Sequence, residues 1–551
     1  MTSPILKLWS AFASGLLLFL AMPGSPGIAL CAWIAVAPLL IASQSSSSPA
    51  NAAWLGLGCG MTFYPLSLSW ITIVLGTYGH LDGWLSGTAL LLLALYMSIY
   101  MAIFSGMCRW VGNRLPLPLF APILWVGLDF IRASLFSGFP WLDLGYSQFQ
   151  SNPILQTADI FGHHTVTFLI IMTNAMLASV FNLVATKNQS TPDRQPELNR
   201  QLLTAILPTV ILLVGAGLYG ISRQQQITNL CERTESISVS VAQGDIPQDK
   251  KWSADFQQET VNRYLSLSEK ALTGENPPSL LIWPETALPF YPMESPYFVE
   301  IIEQLVNTRH ANLLFGAPHR QRPVPNSPPQ YFNSAFLVIP ADRPLSGMHL
   351  PLAESPPTGI IKGRYDKQHL VPFGEYIPMR TLLPFLAPVV ESIGDFTPGL
   401  PSGPISCENA RIGVLICFES IFPEMARDRV ANGANLLVNI TNDAWFGRSN
   451  APWQHLSMAV FRAVENRRSL ARAANSGISG CFDPLGHYSR LSALFTADQI
   501  TAKMPLLTTT TFFNRHGHHF GAFCLWAILA CIIWVWRFNK SDQEIQTCHR
   551  N

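Results

Sequence analysis

Hydrophobic positions along this chain fall into two textures. Up to residue 222, and again from 519, they gather into long uncharged tracts. Between those regions they form short runs broken by polar stretches. No Lys, Arg, Asp or Glu occurs between Lys7 and Asp82, from Gly83 to Cys108, from Leu115 to Leu128, from Thr165 to Thr186, from Leu202 to Ser222, or from Phe520 to Trp536. A helix that crosses a bilayer needs about 20 mostly apolar residues. The first tract must therefore hold several, divided at Pro23-Gly24-Ser25-Pro26-Gly27 and at Ser43 to Asn51. The pattern predicts eight spans, near 5–22, 28–43, 52–76, 84–108, 116–132, 163–185, 202–221 and 519–537. One apolar run could be a buried core helix. A succession of six or more argues for a membrane protein. A cleaved signal peptide over residues 1–22 is the competing reading of the first run; the spans that follow at once favour a retained helix.

Residues 232–505 read differently. Short β-rich runs are predicted at Ile237 to Ala242, Leu280 to Trp283, Asn312 to Phe315, Ala335 to Val338, Arg411 to Ile416 and Leu436 to Ile440. Helices are predicted over 253–272, 296–309, 420–432 and 453–475. Such alternation indicates an α/β fold with sheets covered by helices. The division expected is 1–222 as a seven-span membrane domain, 223–510 as an exported catalytic domain, and 511–551 as a last membrane helix with a tail.

Composition agrees with this. Of 551 residues, 49% are hydrophobic and 13% charged, where soluble domains carry about 25% charged. The net charge of +1 gives no support to nucleic-acid binding. Lys and Arg set orientation by collecting on the cytoplasmic side. Alternating the spans from a cytoplasmic N-terminus puts Lys7, Arg109, Arg114, Lys187, Arg194, Arg200, Arg537 and Lys540 inside. The 222–518 segment is then outside, and Arg132 is the one cation on the wrong side. Ten cysteines are present. Cys231, Cys407 and Cys481 lie in the exported domain, where disulfides are possible. No CxxC and no Cys/His spacing of a metal site appears, so neither a metal nor another cofactor is expected.

Three motifs sit where strands end, the usual place for catalytic groups in α/β proteins. Leu281-Ile282-Trp283-Pro284-Glu285 stops an apolar strand at a proline and presents a carboxylate. Tyr365-Asp366-Lys367-Gln368-His369-Leu370-Val371-Pro372-Phe373-Gly374-Glu375 is a punctuated loop with a lysine and a second carboxylate. Ile412-Gly413-Val414-Leu415-Ile416-Cys417-Phe418-Glu419 is a strand followed at once by a cysteine. Each alone has an ordinary reading: a small core thiol, a helix cap, a solvated loop charge. Together they supply what thiol acyl transfer requires. A thiol whose ordinary pKa is about 8.5 needs a base. The tetrahedral intermediate needs positive charge or N–H donors at its oxygen. Glu285 as base, Lys367 as oxyanion partner and Cys417 as nucleophile fit those parts.

These residues resemble the Glu-Lys-Cys triad of the nitrilase (carbon–nitrogen hydrolase) superfamily. The resemblance implies an α-β-β-α sandwich. The wider pattern is similar to the apolipoprotein N-acyltransferase family. Phe139-Pro140-Trp141-Leu142 with Gly145-Tyr146-Ser147-Gln148, Gln243-Gly244-Asp245-Ile246-Pro247 with Trp252, Tyr331-Phe332-Asn333-Ser334, Asn442-Asp443-Ala444-Trp445-Phe446-Gly447 and Pro452-Trp453-Gln454-His455 all match that family's stretches. The resemblance implies ping-pong acyl transfer from a membrane phospholipid, through a Cys417 thioester, to the N-terminal amine of a diacylglyceryl-cysteine lipoprotein. It implies an inner-membrane location with the active site on the periplasmic side. It also implies supporting roles for Glu375 and Glu419, an orienting role for Asn333, an N–H donor at Phe418, and aromatic positions near lipid access at Trp141 and Trp252. The family often has Tyr where this chain has Phe418. An apolar segment, Leu382 to Val390, is expected to dock at the membrane interface. Two rival readings share part of this pattern: a membrane-anchored amidase with water as acceptor, and a multi-span transporter or receptor.

Overall fold

The apolar tracts form helices, and their lengths decide which can cross a bilayer. The computed structural model describes residues 3–112, 114–187, 191–324, 327–341, 361–376 and 396–548. Two units emerge: residues Met1–Thr72, Gly83–Arg223 and Arg515–Asn551 form one, and Ile73–Asp82 with Gln224–Asn514 form the other. Among the described residues of the chain, six helices are long and apolar enough to cross a membrane: Pro4–Ala21, Gly83–Val111, Leu117–Ser134, His163–Lys187, Gln195–Arg233 and Gly517–Arg537. Pro49–Ser67 and Trp70–Tyr78, bent by 48° at their junction, make a seventh if read as one span.

The count of eight is therefore not reached. The span expected at 28–43 is a shorter apolar stretch, Ala29–Gln44. It is broken into a 3₁₀ turn at Ala29–Cys31 and short helices at Ala32–Ala35 and Ala37–Gln44. Pro38 stands at the start of the last piece. Its ring clashes with the preceding turn and it has no N–H to give. The freed backbone groups are taken up by Asn174. The Asn174 Oδ1 accepts from the N–H of Val36 (2.8 Å) and Ala37 (3.0 Å), and its Nδ2 donates to the carbonyl of Ala32 (2.9 Å). An unpaired backbone group at membrane depth costs several kcal/mol, so a break of this kind needs such a partner.

Close helix packing in this unit rests on small residues. Gly56 and Gly60, a GxxxG pair on Pro49–Ser67, face Gly83–Val111. A Cβ at Gly56 would lie 2.3 Å from the Met101 carbonyl oxygen, and one at Gly60 would lie 2.5 Å from Ser98 Oγ. Glycine there lets the two backbones meet, which is how helices gain packing energy in a medium as apolar as their own side chains. Arg132, the cation the charge rule misplaces, is buried. Its guanidinium bonds Asp129 on the same helix (2.8 Å) and the carbonyl of Trp141 (2.5 Å). It is neutralised locally and exerts no topological pull.

The second unit is built on two sheets. Its strands are β1 (Ser236–Gln243), β2 (Leu280–Ile282), β3 (Asn312–Gln321), β4 (Gln330–Val338), β5 (Ile361–Asp366), β6 (Ile405–Cys407), β7 (Ala410–Ile416), β8 (Leu436–Thr441), β9 (Ser469–Ala474), β10 (Gly480–Phe482) and β11 (Asp498–Pro505). One sheet has the order β11-β1-β2-β3-β4-β5, the other β10-β9-β8-β7-β6. Side chains alternate between faces along a strand. Ile237, Val239, Val241, Leu280 and Ile282 of the first sheet share a core with Ile412, Val414, Ile416, Leu436, Val438 and Ile440 of the second. The opposite set, Leu281, Trp283, Leu313 and Phe315, packs with Val261, Tyr264, Ile302 and Leu305 from the helices Ala254–Leu272 and Pro296–Arg309. Helices Pro423–Ala431 and Ala451–Asn466 pack on the second sheet. The layers are helix, sheet, sheet, helix.

One helix expectation fails. The run 453–475 stops at Asn466, where Arg467 turns left-handed (φ +50°), and β9 follows. β9 pairs in parallel with β8 in the sheet interior, and that pairing overrides helix propensity in Ser-Leu-Ala-Arg-Ala-Ala. Strands β5, β6, β10 and β11 were not anticipated. Several of their residues are polar or exposed at the sheet margins, and they lack the apolar density that marks the interior strands.

Leu436 is fully buried in β8 between the sheets. Leu436→Ala is expected to cost about 2–5 kcal/mol, read as a lowered unfolding midpoint of the detergent-purified chain. An unchanged midpoint would contradict the two-sheet core.

Candidate active site

Glu285, Lys367 and Cys417 each lie just beyond the end of a strand, and Asn333 lies on one. After β2, the Trp283 N–H still bonds the Leu314 carbonyl (2.8 Å), and Pro284 then ends the ladder. Gly316 of β3 lets this turn pass: a Cβ there would meet the Pro284 oxygen at 2.6 Å and the Glu285 Cα at 2.7 Å. Glu285 follows. Asn333 lies on β4, and Lys367 is the first residue after β5, its N–H bonded to the Asn333 carbonyl (2.8 Å). Cys417 is the first residue after β7. It is left-handed, at φ +52°, a conformation that costs a non-glycine residue about 1–2 kcal/mol and clusters at functional sites.

The charged groups converge. Lys367 Nζ lies 2.9 Å from Glu375 Oε1 and 3.6 Å from Glu285 Oε1. Asn333 Nδ2 donates to both carboxylates, at 2.7 Å to Glu285 and 3.0 Å to Glu375. The second oxygen of Glu285 accepts from the Asn442 N–H (2.8 Å), and that of Glu375 from the Val371 N–H (2.8 Å). All four side chains are buried, Lys367 to 1% exposure. Burial pulls Lys367 down, but Glu375 and then Glu285 overcome it and hold the ammonium above the ordinary lysine range. Cys417 feels the same set. Its thiol is pushed up to about 12, by burial first and by the Glu285 charge second, against the opposing pull of Lys367. The thiol is therefore protonated at neutral pH, with a carboxylate and a fixed cation around it.

Glu419 ties two of these loops together. One oxygen accepts from the Ile416 N–H (2.7 Å); the other accepts from Gln368 N–H (2.7 Å), His369 N–H (3.2 Å) and the Tyr365 hydroxyl (2.8 Å). Burial raises Glu419 above the ordinary carboxylate range, although these N–H donors and Arg429 oppose it. Arg429 in turn bonds the Tyr365 hydroxyl and the Val414 carbonyl. One buried carboxylate thus fixes the cysteine turn and the lysine loop together.

The sequence reading missed several members. Lys251 is fully buried, with Nζ 3.2 Å from the Glu285 carbonyl oxygen and 3.3 Å from Thr286 Oγ1. Burial pulls it down to about 8, against Glu285 and Cys417. In the sequence it is one of a Lys-Lys pair and reads as a solvated charge. Behind the cysteine, His455 Nε2 lies 3.1 Å from the Cys417 carbonyl and 2.9 Å from Ser420 Oγ, and its Nδ1 lies 3.0 Å from Asp443 Oδ1. Arg472 of β9 bonds the other Asp443 oxygen at 2.7 Å. Burial opposes ionisation of Asp443, yet Arg472 and His455 hold it well below the ordinary carboxylate range. The motif containing Asp443 and His455 was visible as a signature, not as a brace on the cysteine turn.

Other expected positions are placed as follows. Phe418 follows Cys417 in the 3₁₀ turn Cys417–Ile421, its ring edge-on to Phe422. Trp252 is half exposed beside Lys251. Trp141 belongs to the membrane unit, where it is buried against Trp70 and Phe139; it is not an exposed interfacial ring. Leu382 to Val390 lies outside the described residues. No disulfide joins cysteines among the described residues.

The charges at Cys417 predict opposite shifts in thiol reactivity. Glu285→Gln removes a negative charge that disfavours the thiolate, so iodoacetamide alkylation of Cys417 should move to lower pH. Lys367→Met removes a favourable cation and should move it to higher pH. Shifts in the same direction would contradict this electrostatic assignment.

A family described as Apolipoprotein N-acyltransferase N-terminal domain matches residues 14–176, and one described as Carbon-nitrogen hydrolase matches residues 238–510. An apolipoprotein N-acyltransferase of Geobacter metallireducens is 41% identical over 516 residues, covering 94% of this chain and 92% of that one. That of Methylococcus capsulatus is 30% identical and covers 88% of each. Among solved structures, a carbon-nitrogen hydrolase from Helicobacter pylori G27 aligns with 49% of this chain and 90% of its own, at 18% identity and a TM-score of 0.35. With both family matches and a relative of that identity spanning nearly its whole length, the chain belongs to the apolipoprotein N-acyltransferase family.

Proposed function

We propose that Cys417, Glu285 and Lys367 carry a two-step acyl transfer between lipids. The Glu285 carboxylate takes the thiol proton as the sulfur attacks an ester carbonyl of a membrane phospholipid. The resulting oxyanion is held by the Lys367 ammonium together with the backbone N–H of Phe418. Collapse breaks the ester bond, leaves the acyl group on sulfur, and returns the proton from Glu285 to the departing lysophospholipid oxygen. The α-amine of a diacylglyceryl-cysteine then attacks the thioester and loses a proton to Glu285. The amide forms, and the thiol is regenerated with that proton. Splitting the reaction at a covalent intermediate gives ping-pong kinetics.

One observation carries this reading: a strained cysteine beside a carboxylate and an ammonium that are locked to each other by Glu375 and Asn333. Asn333, Glu375 and Glu419 serve as positioning residues in it. The membrane helices fit the substrates. Drawing an acyl chain into water costs about 0.8 kcal/mol for each CH₂, and an enzyme held in the bilayer avoids this. The later spans alone support the periplasmic side of the inner membrane. Arg109 and Lys187 near the ends of Gly83–Val111 and His163–Lys187, and Arg537 at the end of the last span, belong together on the cytoplasmic face. Alternation then puts the catalytic unit on the periplasmic side, whatever the number of spans before Gly83.

The test is mass spectrometry of the purified chain after incubation with phosphatidylethanolamine. The peptide bearing Cys417 should gain one acyl mass, absent in Cys417→Ser. Adding a diacylglyceryl-cysteine peptide should discharge it with formation of the amide. No adduct on Cys417 would overturn the mechanism. Loss to water at the same rate with and without the peptide would favour the amidase reading. Glu285→Gln should lower turnover by about 10²–10⁴-fold, the usual range for a general base.

A further inference from the structure

We propose that Asp143, His163 and His164 form a divalent metal site, of the zinc class, inside the membrane unit. The three residues are brought together by the loop 139–148 and the N-terminal turn of the helix His163–Lys187. Their ligand atoms lie within 4.8 Å of one another. His163 Nε2 is 3.2 Å and His164 Nε2 is 3.8 Å from the same oxygen, Asp143 Oδ2. Ligands at 2.0–2.1 Å in a tetrahedral zinc site stand about 3.3–3.4 Å apart, a spacing these two distances bracket. A small closure of His164 would complete three protein ligands, with the fourth position left to solvent or another donor. Two imidazoles and one carboxylate are a donor set that suits zinc.

The carboxylate is aimed. Its other oxygen, Oδ1, accepts from the Gly145 N–H (3.1 Å) and from the Thr167 hydroxyl. Partners of this kind fix a metal-binding carboxylate and leave one oxygen toward the ion. The His163 ring is itself held, stacked on Tyr146 at 4.8 Å between centroids. Charge balance favours a cation. Asp143 is buried, and its ion-pair contacts are the two imidazoles. The nearby Arg132 is engaged by Asp129 and the Trp141 carbonyl. A carboxylate at such a place needs a counter-charge. Bound metal would staple the loop that carries Trp141 to the helix that carries Asn174. The site escapes a search for short Cys/His spacings, because its carboxylate lies 20 residues before the adjacent histidines and meets them only in the fold.

The full chain, purified in detergent with metal-free buffers and then loaded with zinc, should hold about one zinc per chain by mass spectrometry of elements. Asp143→Asn and His164→Gln should each lower this at least tenfold, whereas the paired change His518→Gln and His519→Gln should leave it unchanged. A second measurement needs no variant. Zinc should protect His163 and His164 of the wild-type chain from diethylpyrocarbonate, and cobalt should give visible bands that zinc abolishes. Zinc that follows His518 and His519, or no protection and no cobalt bands, overturns the proposal. None of these readouts depends on acyl transfer, so their failure leaves the Cys417 mechanism standing and the reverse also holds.

Discussion

The catalytic unit is organised around a lysine ammonium buried between two carboxylates. An isolated ammonium taken out of water is strongly disfavoured, and removing one partner of a buried pair leaves a charge with nowhere to go. Lys367 is tolerated because Glu375 and Glu285 both face it. Asn333 and the Asn442 and Val371 N–H groups satisfy the remaining carboxylate oxygens. These charges are held by hydrogen bonds among the segments at the ends of or on four strands, β2, β4, β5 and β8. That is why the ends of β2, β4, β5 and β8 must keep their relative positions.

A second constraint is the backbone of Cys417. A left-handed cysteine at a strand end stores strain, and it persists because the turn is held from both sides. Glu419 grips the N–H before the cysteine and the two N–H groups after Lys367. His455, braced by Asp443 and Arg472, meets the cysteine carbonyl. The same buried carboxylate thus fixes the nucleophile and the cation with one set of bonds, and a displacement of either loop would be felt at the other.

The membrane unit solves a different problem with related means. Water is absent, so each interruption of a helix must be repaired by protein. Asn174 repairs the break before Pro38, Gly56 and Gly60 bring backbones into contact, and Arg132 is neutralised within its own helix. Polar side chains here serve local satisfaction first, and buried Asp143 with its two facing imidazoles is the proposed metal site.

By itself the sequence determined that the chain is a membrane protein with an α/β domain, because uncharged tracts of span length and short apolar runs are local properties. It also placed Glu285 and Cys417 at the ends of apolar runs and Lys367 in a loop punctuated by Pro372 and Gly374, since proline, glycine and the end of an apolar run mark those points. The second apolar stretch was read as one continuous span because hydrophobicity does not register the Pro38 break or the Asn174 that permits it. Helix 453–475 was overextended because pairing with β8 is a non-local force. Only the tertiary structure decided that Lys251 is buried, that Asn333 bridges two carboxylates, and that His455, Asp443 and Arg472 brace the cysteine turn. Burial and hydrogen-bond partnership join residues tens to hundreds of positions apart, and no spacing along the chain encodes which of them will meet.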